Sequence, residues 1–104
     1  MTPAFAARAA RATLELHGEL DVATVGIAGA RFAELLAAGG HDELTIDLSG
    51  LRFVDSSGIT LLRAAASHCA ARGVALRIVP GAPTVQRVFA LTGTDRALPF
   101  AEAA

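Results

Sequence analysis

Two adjacent serine hydroxyls stand in the tetrapeptide Asp55-Ser56-Ser57-Gly58, between two strongly apolar runs. The upstream run, residues 44–48, is typical of a buried strand, and the downstream run, residues 59–71, is typical of a helix. Unpaired backbone N–H groups at such a strand-to-helix junction favour an anion. These residue types therefore predict a site that can take a phosphate, and a phosphate there could act as a switch.

The two serines have different expected roles. If the helix begins near Gly58, Ser56 is well placed as its N-cap and Ser57 lies in the first exposed turn. A phosphate on Ser57 would add about −1.5 to −2 charges at neutral pH and is favoured at a helix N-terminus. Asp55 beside it would make the spot more acidic. The alternative is that both serines only cap the helix.

The motifs of several enzyme classes are missing from the sequence. The segment 54–58 lacks the first glycine of the G-x-S-x-G nucleophile elbow, and the three histidines have no recognisable placement for a catalytic triad. The scattered histidines and the single cysteine, Cys69, also lack the spacing of a metal site. With no P-loop lysine and no G-x-G-x-x-G motif, ATP used on Ser57 must come with a partner. We therefore predict a protein that is not an enzyme and holds no cofactor or metal.

The composition limits the class of protein further. The chain has 104 residues and a net charge of −1, and its nine basic residues are arginines spread along the sequence. Without a basic cluster, direct binding to nucleic acid is not expected. No apolar stretch approaches the roughly 20 residues that span a bilayer, and the first residues do not resemble a secretory signal. We therefore expect a cytoplasmic protein that does not insert into a membrane.

A second polar spot, Glu19 and Asp21, follows a predicted strand at residues 12–20. Taken alone it indicates a solvated turn in which Asp21 or Thr24 caps the next helix. Parallel neighbouring strands end at the same edge of a sheet. If the strands ending at Leu20 and Val54 are such neighbours, this turn lies beside Ser57.

The apolar pattern predicts alternating strands and helices. Helices are expected up to Gly39, over 59–71 and over 83–92, and strands over 12–20, 44–48, 74–79 and 98–100, with a turn at Ser49-Gly50. This order favours a layered α/β domain with helices packed on a sheet. Three helices are too few to cover both faces of the sheet fully, so one face is expected to be more exposed.

The chain resembles a known family at two motifs, Gly18-Glu19-Leu20-Asp21 and residues 46–58. Both are similar to motifs of STAS domains of the anti-sigma factor antagonist (anti-anti-sigma factor) type. Residues 85–93 look like the family's Val-x-Arg-Val-Phe-x-Leu-Thr-Gly stretch, and the resemblance runs from about residue 12 to 100. It implies a single STAS domain over 1–104, with a mixed sheet of about four to five strands and helices mainly on one face. The first of these strands would lie around residues 5–8.

The resemblance also implies a regulatory mechanism in which binding partners are exchanged. The unphosphorylated antagonist binds an anti-sigma factor, often a serine kinase, and thereby frees a sigma factor. The kinase phosphorylates the second serine of the motif, here Ser57, and a PP2C-type phosphatase removes the phosphate. We expect the free protein to be a monomer. An alternative within the fold is a STAS subunit or accessory of a membrane lipid or anion transport system.

The family's partner-binding residues fall on the same two motifs of this sequence. Asp21 matches the aspartate of the Gly-Glu-Leu-Asp turn near the partner-binding edge. The other matching positions are Asp55, Ser56, Ser57, Gly58 and Ile59.

Overall fold

Strands and helices alternate along the chain, as the apolar pattern predicts. The computed structural model describes residues 11–101. The elements are β1 (Arg11–Leu20), α1 (Val25–Ala38), β2 (Glu43–Val54), α2 (Ser56–Ala71), β3 (Ala75–Val79) and α3 (Pro83–Thr92).

The three strands form a parallel sheet in the order β1-β2-β3. In the pairing of β1 with β2, Leu20 lies opposite Val54, so these two strands end together. This confirms the predicted neighbourhood of the two strand ends. We call this end of β1 and β2 the carboxyl edge.

The described sheet has three strands, so the expectation of a mixed sheet of about four to five strands is wrong for residues 11–101. The expected first strand, around residues 5–8, lies outside the described residues. The expected last strand is reduced to one bridge between Ile78 and Phe100. Its two hydrogen bonds join Ile78 N–H to the Pro99 carbonyl at 3.0 Å and Ala101 N–H to the Ile78 carbonyl at 2.7 Å. Pro99 has no N–H of its own, which limits this pairing.

The turn predicted at Ser49-Gly50 is also wrong, because β2 continues through both residues as one strand of 12 residues. The register with β1 shifts between Glu15 and His17 and again between Gly18 and Glu19. At each shift β2 contains one residue more than β1, which is the signature of a β-bulge. The Ser-Gly pair therefore marks an irregularity inside the strand. A Cβ atom on Gly50 would collide with the imidazole of His17.

The helices supply one side of a single apolar core. Buried residues of the strands, such as Ile46 and Leu48, share this core with Phe32 of α1, Leu62 of α2 and Phe89 of α3. Successive residues of a strand point to opposite faces of the sheet. On β1 the positions facing away from the core are exposed and mostly polar: Arg11, Thr13, Glu15, His17 and Glu19. One face of the sheet is therefore covered by helices, and the outward face of β1 is open.

Candidate functional site

Helix α2 begins at Ser56, one residue after a capping aspartate. The Oδ1 atom of Asp55 accepts hydrogen bonds from Ser57 N–H at 2.9 Å and from Gly58 N–H at 3.4 Å. These are the N–H groups that an N-cap side chain satisfies. The expectation that Ser56 is the cap is therefore wrong, because the helix starts two residues earlier than predicted and Asp55 precedes it.

The two serines occupy the first turn of α2. Ser56 is exposed, and its carbonyl accepts a hydrogen bond from Thr60 Oγ1 at 3.0 Å, whereas Ser57 is half-buried. The sequence predicts unpaired N–H groups here that favour an anion. In the structure the N–H groups of Ser57 and Gly58 are already bound by Asp55. A phosphate on Ser57 would therefore lie beside the Asp55 carboxylate, which already accepts from two of the first N–H groups of the helix.

Gly58 allows the start of α2 to lie directly on the ends of two strands. A Cβ atom at this position would lie 2.7 Å from Val54 Cγ2 and 2.9 Å from Leu20 Cγ. These distances are shorter than a carbon–carbon contact allows. Gly58 and Ile59 are both buried. Both residues lie between the first turn of α2 and the sheet. They therefore fix the position of the two serines relative to the strand ends.

The turn after β1 is closed by its own side chains. Asp21 Oδ1 accepts hydrogen bonds from Ala23 N–H at 3.0 Å and Thr24 N–H at 3.1 Å. The Thr24 hydroxyl accepts from Asp21 N–H and donates to the Glu19 carbonyl, both at 2.9 Å. Thr24 is the N-cap residue of α1, but its side chain makes no cap hydrogen bond. The side chains predicted to cap α1 therefore close the turn before the helix instead.

A backbone hydrogen bond joins this turn to the start of α2. Asp55 N–H donates to the Leu20 carbonyl at 3.2 Å. Because Leu20 precedes Asp21 and Asp55 caps the helix of Ser57, the two polar motifs lie side by side at the carboxyl edge. This arrangement follows from the parallel pairing of β1 with β2, and parallel sheets present their ligand-binding loops at that end of the strands.

The carboxyl edge is mostly acidic. Glu19, Asp21 and Asp55 place three carboxylates at the ends of β1 and β2. The guanidinium of Arg52 lies 3.9 Å from Glu19, with both side chains largely exposed. Such an exposed pair contributes little to stability, but it leaves the edge with more negative than positive charge.

Sequence reasoning missed an apolar side chain at this edge. Val22 follows Asp21 in the closed turn and is 78% exposed. Its neighbours in the sequence are Asp21 and Ala23, so no periodic pattern marks it as a surface feature. The signal in the sequence was that Val22 directly follows Asp21 of the Gly-Glu-Leu-Asp motif.

The remaining candidate chemistry lies away from the carboxyl edge. Cys69 is buried in α2, and burial raises the pKa of its thiol. In residues 11–101 no three histidine, cysteine, aspartate or glutamate side chains converge to hold a metal ion. None of the helices in this part of the chain is long and apolar enough to cross a membrane.

Comparison with known proteins identifies the family and the fold. A family model described as "Mlab, STAS domain" matches residues 4–99. An anti-sigma factor antagonist from Mycobacterium paratuberculosis has a similar structure, with a TM-score of 0.79 and 24% identity over 92% of this chain and 80% of that chain. No curated protein sequence matches the chain significantly.

Two forms of one protein are also similar to this structure. The anti-sigma factor antagonist SpoIIAA in its unphosphorylated form gives a TM-score of 0.75 and 23% identity over 94% of this chain and 84% of that chain. The phosphorylated form of SpoIIAA from Bacillus gives 0.68 and 22% over 94% and 86%. The chain therefore belongs to the STAS domain family, and it has the fold of the solved anti-sigma factor antagonists.

Proposed function

We propose that this protein is a cytoplasmic anti-sigma factor antagonist with Ser57 as its phosphorylation site. The unphosphorylated form binds an anti-sigma factor that is also a serine kinase, and a sigma factor is released. The kinase transfers phosphate from ATP to Ser57, which ends binding, and a PP2C-type phosphatase restores the active form. The protein itself performs no catalysis, and it contacts no nucleic acid.

One observation carries the proposal: the hydrogen bond from Asp55 N–H to the Leu20 carbonyl. It brings Asp21 to the same edge as Ser57, so the two family motifs form one surface. The phosphorylated form of SpoIIAA, which has the same fold, gives independent support because that protein accepts phosphate.

The partner-binding surface includes Asp21, Asp55, Ser56 and Ser57, which lie at the carboxyl edge. Gly58 and Ile59 act on the same surface from below. They are buried, and Gly58 lets α2 approach the strand ends. Their role in binding is to hold the two serines in the position where the partner contacts them.

The phosphate acts as an off switch through charge. Asp55 Oδ1 already accepts hydrogen bonds from the N–H groups of Ser57 and Gly58. These donors therefore do not neutralise a phosphate on the Ser57 hydroxyl. The added charge of about −1.5 to −2 meets the carboxylates of Asp55 and Asp21 and must remain hydrated. A partner that must bury this group binds less tightly. Each loss of about 1.4 kcal/mol in binding free energy lowers the affinity tenfold.

The proposal is tested by phosphorylation and binding of matched serine variants. The purified protein is incubated with ATP and the anti-sigma kinases of the same genome, and phosphate is read by intact mass. One phosphate is expected on the parent protein and on Ser56→Ala, and none on Ser57→Ala. Ser57→Ala keeps its affinity for the unreacted kinase, whereas Ser57→Asp loses about tenfold or more.

Ser56→Ala is the control because the same change is made one residue away, at an exposed position. Phosphate found on Ser57→Ala would exclude Ser57 as the acceptor. Equal affinity of Ser57→Asp and the parent protein would contradict the electrostatic mechanism.

A STAS subunit of a membrane lipid or anion transport system is the second candidate. It is favoured by the name of the matching family model, "Mlab, STAS domain", which is not that of an anti-sigma factor antagonist. In that case none of the kinases would phosphorylate the protein, and pull-down would recover components of a transporter. Phosphate transfer to Ser57 decides in favour of the antagonist.

A further inference from the structure

An open groove lies between α1 and α2, and its polar end is far from the carboxyl edge. The groove has a volume of about 390 Å³, and among residues 11–101 its lining is apolar except for His68 and Arg72. Arg72 is the C-cap residue of α2, so this end lies about 22 Å along the helix from Ser57. A cavity of this size, mostly apolar with a few polar groups, is typical of a small-molecule site.

The groove is bounded at both ends. At one end α1 and α2 are in contact, since a Cβ atom on Gly29 would lie 3.3 Å from Leu61 Cδ1. At the other end Arg72 Nη1 donates a hydrogen bond to the Leu36 carbonyl at 3.2 Å. The α1 lining runs from Gly29 to Ala37, about 12 Å of helix. A further helix, about 10–12 Å across with its side chains, would rest on the rim of so short a groove, whereas an extended hydrocarbon tail fits inside.

The guanidinium of Arg72 has hydrogen-bond donors that the fold does not use. It carries five N–H donors, and Nη1 is bound to the Leu36 carbonyl near the end of α1. Within residues 11–101, Arg72 forms no ion pair with a carboxylate. The bond to the carbonyl by itself is an ordinary cap of a helix end, but it also holds the cation beside an apolar groove. An oxyanion is the group that such a guanidinium binds.

We propose that the groove binds the anion of a medium-chain fatty acid. The carboxylate accepts hydrogen bonds from the remaining donors of Arg72, with His68 beside it. The hydrocarbon tail lies between Phe32 and Leu36 of α1 and Leu61 of α2. An extended tail advances about 1.2 Å per bond, so a tail of about ten carbons matches the 12 Å of lining. This site is separate from the surface of the proposed function and does not depend on it.

The test is titration calorimetry of the full protein with sodium decanoate below its micelle concentration. We expect one decanoate to bind per protein molecule. Hexanoate, which is four methylene groups shorter, binds at least tenfold more weakly, because each fully buried methylene contributes about fourfold. Decyltrimethylammonium has a tail of the same length and the opposite charge. It also binds at least tenfold more weakly than decanoate, because Arg72 repels its head group.

Two matched pairs of variants locate the site. Arg72→Gln is expected to lower the affinity for decanoate about tenfold, whereas Arg63→Gln, at an exposed position of α2 outside the groove, stays within about twofold of the parent protein. Ala33→Leu fills the groove and lowers the affinity about tenfold. Ala30→Leu places the same side chain at an exposed position of α1 outside the groove and has no effect. Thermal unfolding of each variant confirms that it is folded.

The proposal is overturned if decanoate shows no saturable binding, or if decyltrimethylammonium binds as tightly as decanoate. Unchanged affinity of Ala33→Leu would place the binding outside the groove and also overturn it. If Arg72→Gln does not fold, the Ala33 and Ala30 variants and the series of ligands still decide. Sedimentation tests a different occupant: a dimer of the parent protein that Ala33→Leu dissociates would assign the groove to a second copy of the protein. None of these outcomes changes the result of the Ser57 phosphorylation test.

Discussion

At the scale of single residues, the chemistry of the site depends on which group binds the first N–H groups of α2. Asp55 takes that role, with its carboxylate 2.9 Å from Ser57 N, and both serines are left in the first turn of the helix. An aspartate beside a helix N-terminus satisfies donors and also interacts favourably with the helix dipole. The same carboxylate opposes a second negative charge on Ser57. One residue thus stabilises the helix and, under the proposed function, would repel a phosphate on Ser57.

We predict that Asp55→Ala lowers the free energy of unfolding by about 1 kcal/mol, within the range of roughly 0.5–2 kcal/mol known for N-caps. The reason is that Ser57 and Gly58 lose their hydrogen-bond acceptor. Ser56→Ala is the matched control, with a change within about 0.5 kcal/mol, because the Ser56 side chain is exposed. Urea unfolding measures both. Equal losses in the two variants would show that Asp55 is not the cap.

At the scale of elements, the site exists because three segments meet at the end of two parallel strands. The closed turn follows β1, α2 follows β2, and Asp55 N–H joins them through the Leu20 carbonyl. Gly58 sets the distance between α2 and the strands, since any side chain there would overlap Val54 and Leu20. The serines therefore have a fixed position relative to the Asp21 turn.

We predict that Gly58→Ala destabilises the protein by about 1–3 kcal/mol, because the added methyl group overpacks the contact with Val54 and Leu20. Gly26→Ala is the control, since it places the same methyl group on α1 in open space. That variant is expected to be more stable than the parent protein by up to about 1 kcal/mol, because alanine favours a helix.

The two glycine variants also separate stability from binding. Gly58→Ala shifts the start of α2 and should weaken binding of the anti-sigma kinase, whereas Gly26→Ala should not. Thermal and urea unfolding together with the binding titration provide the measurements. A Gly58→Ala protein with unchanged stability would contradict the close approach of α2 to the strands.

Much of the site's arrangement is predictable from sequence at this scale, and the exceptions have physical causes. The parallel pairing follows from helices between the strands, and it places Asp21 near Ser57. The continuation of β2 through Ser49 and Gly50 is not predictable, because a Ser-Gly pair serves equally in a turn or a bulge. The pairing of β2 with β1 decides between the turn and the bulge. The roles of Gly58 and Ile59 in binding and the extent of the domain over 1–104 stay predictions.

At the scale of the whole molecule, one core is shared by three helices and one face of the sheet. Cys69 belongs to this core, and burial raises the pKa of its thiol. The chain has no tyrosine and no lysine, and it has one cysteine. Cys69 is therefore the one side chain whose reference pKa lies between those of histidine and arginine.

We predict that stability falls at alkaline pH because of Cys69. The folded protein keeps the thiol protonated, whereas the unfolded chain releases the proton above about pH 8.5. Stability is thus fully present below that pH and decreases as pH rises towards the pKa of the folded state. Urea unfolding between pH 7 and pH 10.5 measures the decrease. In Cys69→Ala the alkaline decrease is smaller, although the variant is less stable than the parent protein at neutral pH because a buried atom is lost. An equal decrease in both proteins would contradict the assignment to Cys69.

The sequence by itself determined the alternation of strands and helices, the family, and the position of Ser57 in the first turn of a helix. Apolar periodicity and two local motifs suffice for these features, since each depends on neighbours in the chain. Tertiary structure decided that Asp55 rather than Ser56 caps α2, that β2 continues through the Ser49-Gly50 pair, and that Val22 is exposed on a hydrogen-bonded turn. Each of these depends on where the ends of β1 and β2 lie in space. The start of α2, the bulges of β2 and the exposure of the turn are fixed by contacts between segments far apart in the sequence.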